Sequence, residues 1–257
     1  MQLYGLENTK DFDLAFHALI PAAGAGTRML GDHAVERAEQ PKQYLLLAGK
    51  PMLWHAVKSL CVPPIENVFV VLAPDDREFA QRDWQAFAGR IEPLYCGGAT
   101  RRDSVYNGLV AAMAAVDPDD WILVHDAARP CLPARDLAQL IAETRDDSIG
   151  GILALPVAET AKTAVKDEAG AMRVTGTVDR SQLWLAQTPQ MFRCGLLLQA
   201  LKEAKRPVTD EAGAVEQMGL QPRLVTGSRE NIKVTYAQDL KIAEAILANR
   251  RGDPGQP

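Results

Sequence analysis

The stretch that decides the fold runs from Ala18 to Lys42, where ALIPAAGAGTRM (18–29) is followed, eleven residues later, by PKQY (41–44). Its apolar start predicts a β-strand that ends at Pro21, and the small residues behind it predict a loop. Because glycine has no Cβ, the backbone N–H groups of such a loop can close around an anion. The cations Arg28 and Lys42 lie beside the loop, so the pattern indicates phosphate binding and favours nucleotidyl transfer.

Two better-known phosphate loops do not fit these residues. A dinucleotide-binding loop requires a third glycine where Met29 stands, and a P-loop requires Ser or Thr where Pro51 stands. The segment is therefore a glycine loop of another kind. Taken alone, it is equally compatible with a tight strand-to-helix turn beside a solvated Arg28.

Length and composition fit one large α/β domain. The chain has 257 residues, 47% of them hydrophobic and 24% charged, and a formal net charge of −5. It shows no basic block, no apolar run of transmembrane length and no secretory pattern at its start, so we expect no nucleic-acid or membrane partner and a cytoplasmic location. The four cysteines and four histidines are dispersed, which predicts reduced thiols and no metal cage built from side chains.

The alternation of β-rich and helical patterns predicts the fold class. Strands are predicted at 17–21, 68–72, 91–95, 121–124 and 152–157, and helices at 52–60, 77–87, 104–115 and 134–144. This order predicts an α/β fold with a mostly parallel, Rossmann-like sheet and helices on both faces. Ligands of such sheets bind beyond the carboxyl ends of the strands, so Gly24–Arg28, Gly97–Gly98 and Asp126–Arg129 are expected to meet in one crevice.

The alternation breaks after Val157. Two β-prone runs, 161–166 and 171–178, predict a hairpin so polar that it is either a loose loop or an arm that packs on a partner subunit. Helices follow at 195–204, 210–218 and 237–249. We therefore expect an N-terminal extension (1–15), a single domain (16–249) with its arm at about 158–180, and a disordered tail (250–257).

Polar residues follow the third and fourth predicted strands. In GGATRRDSV (97–105), Asp103 or Ser104 could cap a helix, or Ser104 could hold the edge of a nucleobase. In VHDAARP (124–130), Asp126 and Arg129 form either a structural ion pair or a site in which Asp126 faces a substrate hydroxyl or Mg²⁺ and Arg129 faces an anion.

Two further polar residues have plain alternatives. Lys233, within NIKVT (231–235), is by itself most simply a solvated side chain, and its neighbours would point to the opposite face if the segment were a strand. Thr209 is a candidate N-cap for a helix that begins with Asp210 and Glu211, and capping alone accounts for that segment.

Seven motifs in order carry a resemblance: PAAGAGTRM, PKQY, GG..R.DSV, VHDAARP, TVDR..LW..QTPQ, TDE and N.KVT. Together they closely resemble the 2-C-methyl-D-erythritol 4-phosphate cytidylyltransferase family of the non-mevalonate isoprenoid pathway, from about Ala18 to Leu247. The resemblance implies that CTP and methylerythritol phosphate are joined, with release of pyrophosphate, when the substrate phosphate attacks the α-phosphorus of CTP. It also implies Mg²⁺, held largely by the triphosphate, and a homodimer with exchanged arms.

The same resemblance assigns roles to residues. The positions that it places around CTP are Ala22, Ala23, Gly24, Gly26, Gly98 and Ser104. Arg28 and Lys42 match the cations that stabilise the transition state, and Lys233 matches a lysine near the phosphates. The residues implied around methylerythritol phosphate are Asp126, Arg129, Thr188 and Thr209, with Thr160 and the catalytic Arg180 reaching this pocket from the arm of the partner subunit.

Two departures and two rivals accompany this reading. The spacer 30–40 is longer than in many relatives, which predicts an excursion that is mobile without nucleotide. Ala99 replaces an acidic residue of some relatives, so base recognition would rest on backbone and Ser104.

A ribitol 5-phosphate cytidylyltransferase is the nearest rival, and Ala128 argues against it by resemblance. The other rival is a nucleotide-binding regulator without catalysis, against which the retention of Arg28, Lys42, Asp126 and Lys233 argues.

Overall fold

A seven-stranded sheet is the centre of the computed structural model, which describes residues 14–24 and 41–251. Its strands and those of two small sheets are β1 (Phe16–Pro21), β2 (Leu46–Leu47), β3 (Lys50–Pro51), β4 (Ile65–Val71), β5 (Ile91–Leu94), β6 (Trp121–Val124), β7 (Gly150–Pro156), β8 (Lys162–Lys166), β9 (Met172–Thr177), β10 (Trp184–Arg193) and β11 (Arg223–Thr226). The α-helices are α1 (Met52–Leu60), α2 (Arg101–Ala112), α3 (Ala134–Thr144), α4 (Cys194–Glu203), α5 (Glu211–Glu216) and α6 (Ala237–Arg251).

The strand order of the large sheet is β11-β7-β10-β6-β1-β4-β5. Neighbouring strands run parallel, except that β10 is antiparallel to both β6 and β7. The prediction of a mostly parallel sheet is therefore confirmed. The strands β10 and β11 were not among the predicted strands, and β10 is the one that reverses direction.

Side chains of the central strands alternate between the two faces of the sheet, as the two-residue period of a strand requires. Ala18 and Ile20 of β1 belong to one hydrophobic cluster, which α1 and α3 cover, while Leu19 belongs to a second cluster, which α2, α4 and α5 cover. All four side chains of β6 are buried, because this strand has helices on both faces and strands on both sides. Helices on both faces of the sheet are thus confirmed.

A third, smaller cluster lies under α6. Its buried members are Leu47, Met52, Cys131, Val234 and Ala243. Residues 46–51 form the β2–β3 hairpin, whose base is closed by a hydrogen bond from the Met52 N–H to the Leu45 carbonyl (2.9 Å). The cluster therefore joins this hairpin to α6.

The helix predicted at 77–87 is wrong. The segment forms two short 3₁₀ turns, Phe79–Gln81 and Gln85–Phe87. Asp76 accepts a hydrogen bond from the Phe79 N–H, and Asp83 accepts one from the Gln85 N–H, so aspartate side chains replace the helical acceptors. The rings of Phe79 and Trp84 stack with centroids 4.5 Å apart, which fixes the turn between them.

The predicted hairpin is present as the two-stranded sheet β8–β9, which is not hydrogen-bonded to the large sheet. All residues of β8 are exposed, and large apolar side chains of the hairpin are exposed with them: Val165, Met172 and Val174. None of the helices in the described part of the chain is long and apolar enough to cross a membrane. Helix α6 includes residues 250 and 251, and the remainder of the expected tail, most of the N-terminal extension and the spacer 30–40 lie outside the described residues.

Candidate active site

The loops that follow β1, β5 and β6 meet at one edge of the sheet, as the topology predicts. There they line a cavity of about 470 Å³, here called the large cavity because it is the larger of two that adjoin each other. Its lining includes Ala22, Ala23, Gly24, Lys42, Gln43, Met52, Gly98, Ala99, Arg101, Ser104, Asp126, Ala128 and Lys233. Gly26 and Arg28, which the sequence also places here, lie outside the described residues.

The glycine pair Gly97–Gly98 is required by close packing. A Cβ at Gly97 would collide with the Cβ of Ala23 and lie 2.8 Å from the Leu72 carbonyl oxygen. A Cβ at Gly98 would lie 2.5 Å from the Cβ of Asp103. The pair therefore lets the loop after β5 approach both the loop after β1 and the start of α2.

Ser104 is buried, and its hydroxyl holds the glycine loop. Its Oγ accepts a hydrogen bond from the Gly98 N–H (3.1 Å) and donates one to the Thr100 carbonyl (3.0 Å). Helix α2 begins at Arg101, three residues before the predicted start, and its N-cap is Thr100, whose side chain accepts from the Asp103 N–H. The expectation that Asp103 or Ser104 caps the helix is therefore wrong.

Asp126 is the centre of a buried charge network. Its Oδ1 accepts from Arg101 Nε at 2.9 Å, and its Oδ2 lies 2.6 Å from Lys233 Nζ. The Arg101 guanidinium also makes two bonds to the Glu211 carboxylate (2.6 and 3.0 Å), which is 1% exposed. Burial alone would raise the pKa of Asp126, but Arg101 and Lys233 hold this pKa well below its usual range.

Asp126 does not form the simple ion pair with Arg129 that its spacing allowed. The guanidinium of Arg129 is buried and donates to the Asn231 carbonyl (2.6 Å) and the Ala186 carbonyl (3.5 Å). No described residue accepts a hydrogen bond from its Nε, although this atom is buried. Arg129 thus retains one buried donor for a ligand.

A second, smaller cavity of about 210 Å³ adjoins this network and is called the small cavity. It is lined by Arg101, Asp126, Arg129, Ala186, Gln187, Thr188, Gln190, Thr209, Asp210 and Lys233. Arg101, Asp126 and Lys233 line both cavities, which are therefore joined. Four residues that the resemblance places around one substrate, Asp126, Arg129, Thr188 and Thr209, meet in this cavity.

Lys42 and Lys233 are positioned by the same short segment. The Lys42 ammonium donates a short hydrogen bond to the carbonyl oxygen of Val234, the residue after Lys233. The Val234 N–H in turn donates to the Ala128 carbonyl (2.8 Å). Residues 232–235 form no strand. The Lys233 ammonium is also not simply solvated, because it pairs with the Asp126 carboxylate.

Three other expectations have different outcomes. Helix α5 is capped by Asp210, which accepts from the Gly213 N–H, so Thr209 is not its N-cap. Thr160 and Arg180 are exposed and flank the base of the β8–β9 hairpin, and neither lines the large or the small cavity of its own chain.

Sequence reasoning gave no role to Arg101, Glu211 and Gln190. Gln190 donates to Asp210 Oδ2 (2.9 Å) and accepts from the Ala212 N–H (2.8 Å), which ties β10 to α5. The available signal was that each lies inside a quoted motif: Arg101 in GGATRRDSV, Glu211 in TDE and Gln190 at the end of QTPQ.

Comparisons with known proteins agree on one family. The profile of the family described as 2-C-methyl-D-erythritol 4-phosphate cytidylyltransferase matches residues 16–249. A relative of that name from Nitrosomonas eutropha is 53% identical over 238 residues, covering 91% of this chain and 97% of the relative. One from Thiobacillus denitrificans is 51% identical, covering 91% and 98%. The crystal structure of a 4-diphosphocytidyl-2C-methyl-D-erythritol synthase is similar with a TM-score of 0.76 at 39% identity, over 91% of this chain and 99% of that one.

His125 provides a test of how deeply the site is buried. Burial lowers the pKa of this imidazole from 6.5 to about 4. Between these values the unfolded chain binds a proton that the folded chain does not, so stability is full above pH about 6.5 and falls as the pH is lowered. We expect the free energy of unfolding, measured with urea, to fall by about 2 kcal/mol between pH 7 and pH 5 on account of this group.

The matched variant is His125→Gln, with His125→Asn as a second choice. The variant should be less stable at pH 7 because the imidazole bonds to the Arg129 carbonyl (3.0 Å) and Thr188 Oγ1 (3.1 Å) are altered. It should nevertheless lose less stability than the natural chain on going to pH 5, with an unchanged m-value. An equal loss in both chains would show that His125 is not the group responsible.

Proposed function

The chain belongs to the 2-C-methyl-D-erythritol 4-phosphate cytidylyltransferase family, and we infer from its two joined cavities how it performs the reaction of that family. It transfers the cytidylyl group of CTP to 2-C-methyl-D-erythritol 4-phosphate in isoprenoid biosynthesis, giving 4-diphosphocytidyl-2-C-methyl-D-erythritol and pyrophosphate. The observation that carries the assignment of the two substrates is that Arg101, Asp126 and Lys233 line both cavities. A group bound in one cavity therefore faces a group bound in the other across these charges.

We place CTP in the large cavity, whose volume of about 470 Å³ lies in the usual range for ligand sites. Ala22 and Gly98 close one side of it, and their backbone is the surface available to a pyrimidine. Ala99 offers no side-chain acceptor, and the hydroxyl of Ser104 already holds the loop. Cytosine recognition therefore rests chiefly on backbone groups, and Ala23 and Gly24 continue this surface toward the triphosphate.

Cations on this surface supply the catalysis. A phosphate oxygen of methylerythritol phosphate attacks the α-phosphorus, the new P–O bond forms, and the bond to the β-phosphate breaks as pyrophosphate leaves. Negative charge builds up around the α-phosphate, where Lys42 and Lys233 hold preformed positive charge. Arg28, which lies outside the described residues, is proposed as the further cation from its place in the motif.

We place methylerythritol phosphate against the small cavity. The buried Nε–H of Arg129, which has no acceptor among the described residues, is suited to a phosphate oxygen. Each carboxylate oxygen of Asp126 accepts a hydrogen bond from one cation and retains a lone pair that can accept another from a substrate hydroxyl. The hydroxyl of Thr188 accepts from the Asp126 N–H (3.0 Å) and so fixes this loop, while Thr209 lies at the far side.

Mg²⁺ is proposed as the metal, carried by the triphosphate. Among the described residues, the carboxylate that lines the large cavity is that of Asp126, and both of its oxygens are already paired with cations. This donor set fits an ion whose ligands are phosphate oxygens and waters, which Mg²⁺ commonly uses. When bound, the ion would neutralise charge on the triphosphate.

We further propose a two-fold homodimer with exchanged arms. The β8–β9 hairpin exposes Val165, Met172 and Val174, which a partner subunit would cover. Thr160 and Arg180 line neither cavity of their own chain, so the substrate role that the resemblance gives them is assigned here to the site of the partner subunit. A location in the cytoplasm is proposed because all four cysteines, which all lie in the described part of the chain, are unpaired thiols.

Substrate choice separates this assignment from its nearest rival. We expect kcat/KM for methylerythritol phosphate to exceed that for ribitol 5-phosphate by about tenfold or more, with CTP and Mg²⁺, in an assay of pyrophosphate release. Equal or reversed preference would assign the enzyme to the ribitol substrate. No release with either acceptor would favour the nucleotide-binding regulator.

The Lys42→Ala variant tests the cation surface. We expect kcat to fall on the order of a hundredfold, because a charge aimed at the transition state is lost. Lys202→Ala, which removes an exposed lysine of α4, is the matched control and should leave kcat unchanged. Near-normal kcat in Lys42→Ala would refute the assigned role.

Exchange of arms is tested by mixing two inactive variants, Lys42→Ala and Arg180→Ala. After unfolding and random reassociation, half of the dimers contain one chain of each kind. One site of each mixed dimer then combines an intact Lys42 with an intact Arg180 from the other chain, so activity should return to about a quarter of the natural level.

The control for this experiment is the same treatment applied to each variant alone, which should restore no activity while the dimer re-forms. If the mixture also stays inactive although each variant remains dimeric, Arg180 serves its own chain and the shared site is refuted.

A further inference from the structure

A third cavity, of about 550 Å³, lies between α1 and the end of α6 and is called the α1–α6 cavity. It is lined by Ala48, Gly49, Lys50, Trp54, His55, Lys58, Ser59, Val62, Pro130, Leu132, Ala134, Leu247 and Arg250. None of these residues lines the large or the small cavity. Its volume is typical of a small-molecule site.

The walls of this cavity combine apolar surface with positive charge. The indole of Trp54 is half-buried, and Val62, Leu132 and Leu247 add aliphatic surface. The ammonium groups of Lys50 and Lys58 lie 5.6 and 5.8 Å from the centroid of the Trp54 ring. Two cations thus stand beside one aromatic wall, and this arrangement suits a ligand with an apolar body and an anionic group.

Among the described residues, the three cations that line this cavity outnumber the two carboxylates that contact them, Asp83 and Glu230. The described lining residues include three cations and no carboxylate, in a chain of net charge −5. The third cation, Arg250, is engaged with Glu230 Oε2 (2.8 Å) and the Cys131 carbonyl (2.9 Å). Lys50 has only a loose contact with Asp83, 3.8 Å between exposed groups, so its ammonium can move to a ligand at little cost.

The frame of the cavity is fixed by local structure. The β2–β3 hairpin turns through Ala48 and Gly49, which both have positive φ (50° and 83°), as a two-residue turn of type I′ requires. The buried ring of His55 bonds to the Leu47 carbonyl (2.7 Å) and anchors α1 to this hairpin. Both lysines therefore project from anchored elements, β3 and α1.

We propose that the α1–α6 cavity is a binding site for a small organic anion, in which an apolar body packs on Trp54, Leu132 and Leu247 and a phosphate or carboxylate is attracted by the ammonium groups of Lys50 and Lys58 beside the indole. The site is separate from the CTP site and goes beyond the transfer reaction. The ligand belongs to the class of phosphate esters or carboxylates of apolar molecules.

The test uses 1-naphthyl phosphate as the probe, with calorimetry on the full chain in saturating CTP and Mg²⁺ and without methylerythritol phosphate. CTP occupies the large cavity under these conditions, so its phosphate-binding surface does not compete. We expect calorimetry to show one probe molecule bound per chain. In NMR spectra, the indole N–H resonance that a Trp54→Phe variant assigns to Trp54 should shift on titration. Neither inorganic phosphate nor neutral 1-naphthol should bind comparably.

The charge is tested with Lys58→Gln and the double variant Lys50→Gln/Lys58→Gln. Both lysines are at the surface, so folding should be retained, and turnover of CTP should be unchanged. We expect the probe affinity to fall about tenfold in the single variant and further in the double variant, and to be unchanged in the control Lys202→Gln.

Four results would overturn the proposal: no binding of the probe, equal affinity in the lysine variants, equal binding of 1-naphthol, or equal binding of inorganic phosphate. Failure of CTP to bind at all would instead count against the proposed function. In that case the titration of the probe without CTP, followed through the Trp54 signal, would still show whether the probe binds in the α1–α6 cavity.

Discussion

A buried carboxylate held between two cations is the interaction on which the rest of the site depends. Asp126 binds Arg101 through one oxygen and Lys233 through the other, and Arg101 also pairs with Glu211. Removal of Arg101 would leave the buried carboxylates of Asp126 and Glu211 without their shared partner, which is destabilising because a buried charge then lacks compensation. The end of β6, the start of α2, the first turn of α5 and the segment before α6 are thus held together by one set of charges.

The same network leaves positive charge for the substrates. Four cations, Arg101, Arg129, Lys233 and Lys42, outnumber by one the carboxylates of Asp126, Asp210 and Glu211 among the described residues of the two cavities and their network. This excess stands in a chain whose net charge is −5, so the cavities are where a polyanionic nucleotide is attracted. Because packing already fixes these cations, little reorganisation is needed when negative charge grows on the α-phosphate.

The sequence predicts this site only as far as local patterns reach. Apolar runs that end in glycine or in Asp126 placed three loops at one edge of the sheet, since parallel strands share their carboxyl ends. The pairing of Arg101 with Glu211, 110 residues away, has no local signal, and neither does the reversal of β10. The helix predicted at 77–87 is absent because aspartate side chains compete for backbone N–H groups there. The N-caps Thr100 and Asp210 were not predicted, because several neighbouring residues are equally good caps.

The third hydrophobic cluster lies between two separate cavities whose lining residues come from the same segments of the chain. Segments 42–59, 126–134 and 233–250 each contribute lining residues to both the large cavity and the α1–α6 cavity. Between those residues, Leu47, Met52, Cys131 and Val234 pack together with almost no exposure. Since the Val234 carbonyl accepts a hydrogen bond from the Lys42 ammonium, the packing of this small cluster sets the position of a cation that we propose for catalysis. The aliphatic contacts under α6 therefore support the proposed site from behind, through the backbone of Val234 rather than through a polar side chain.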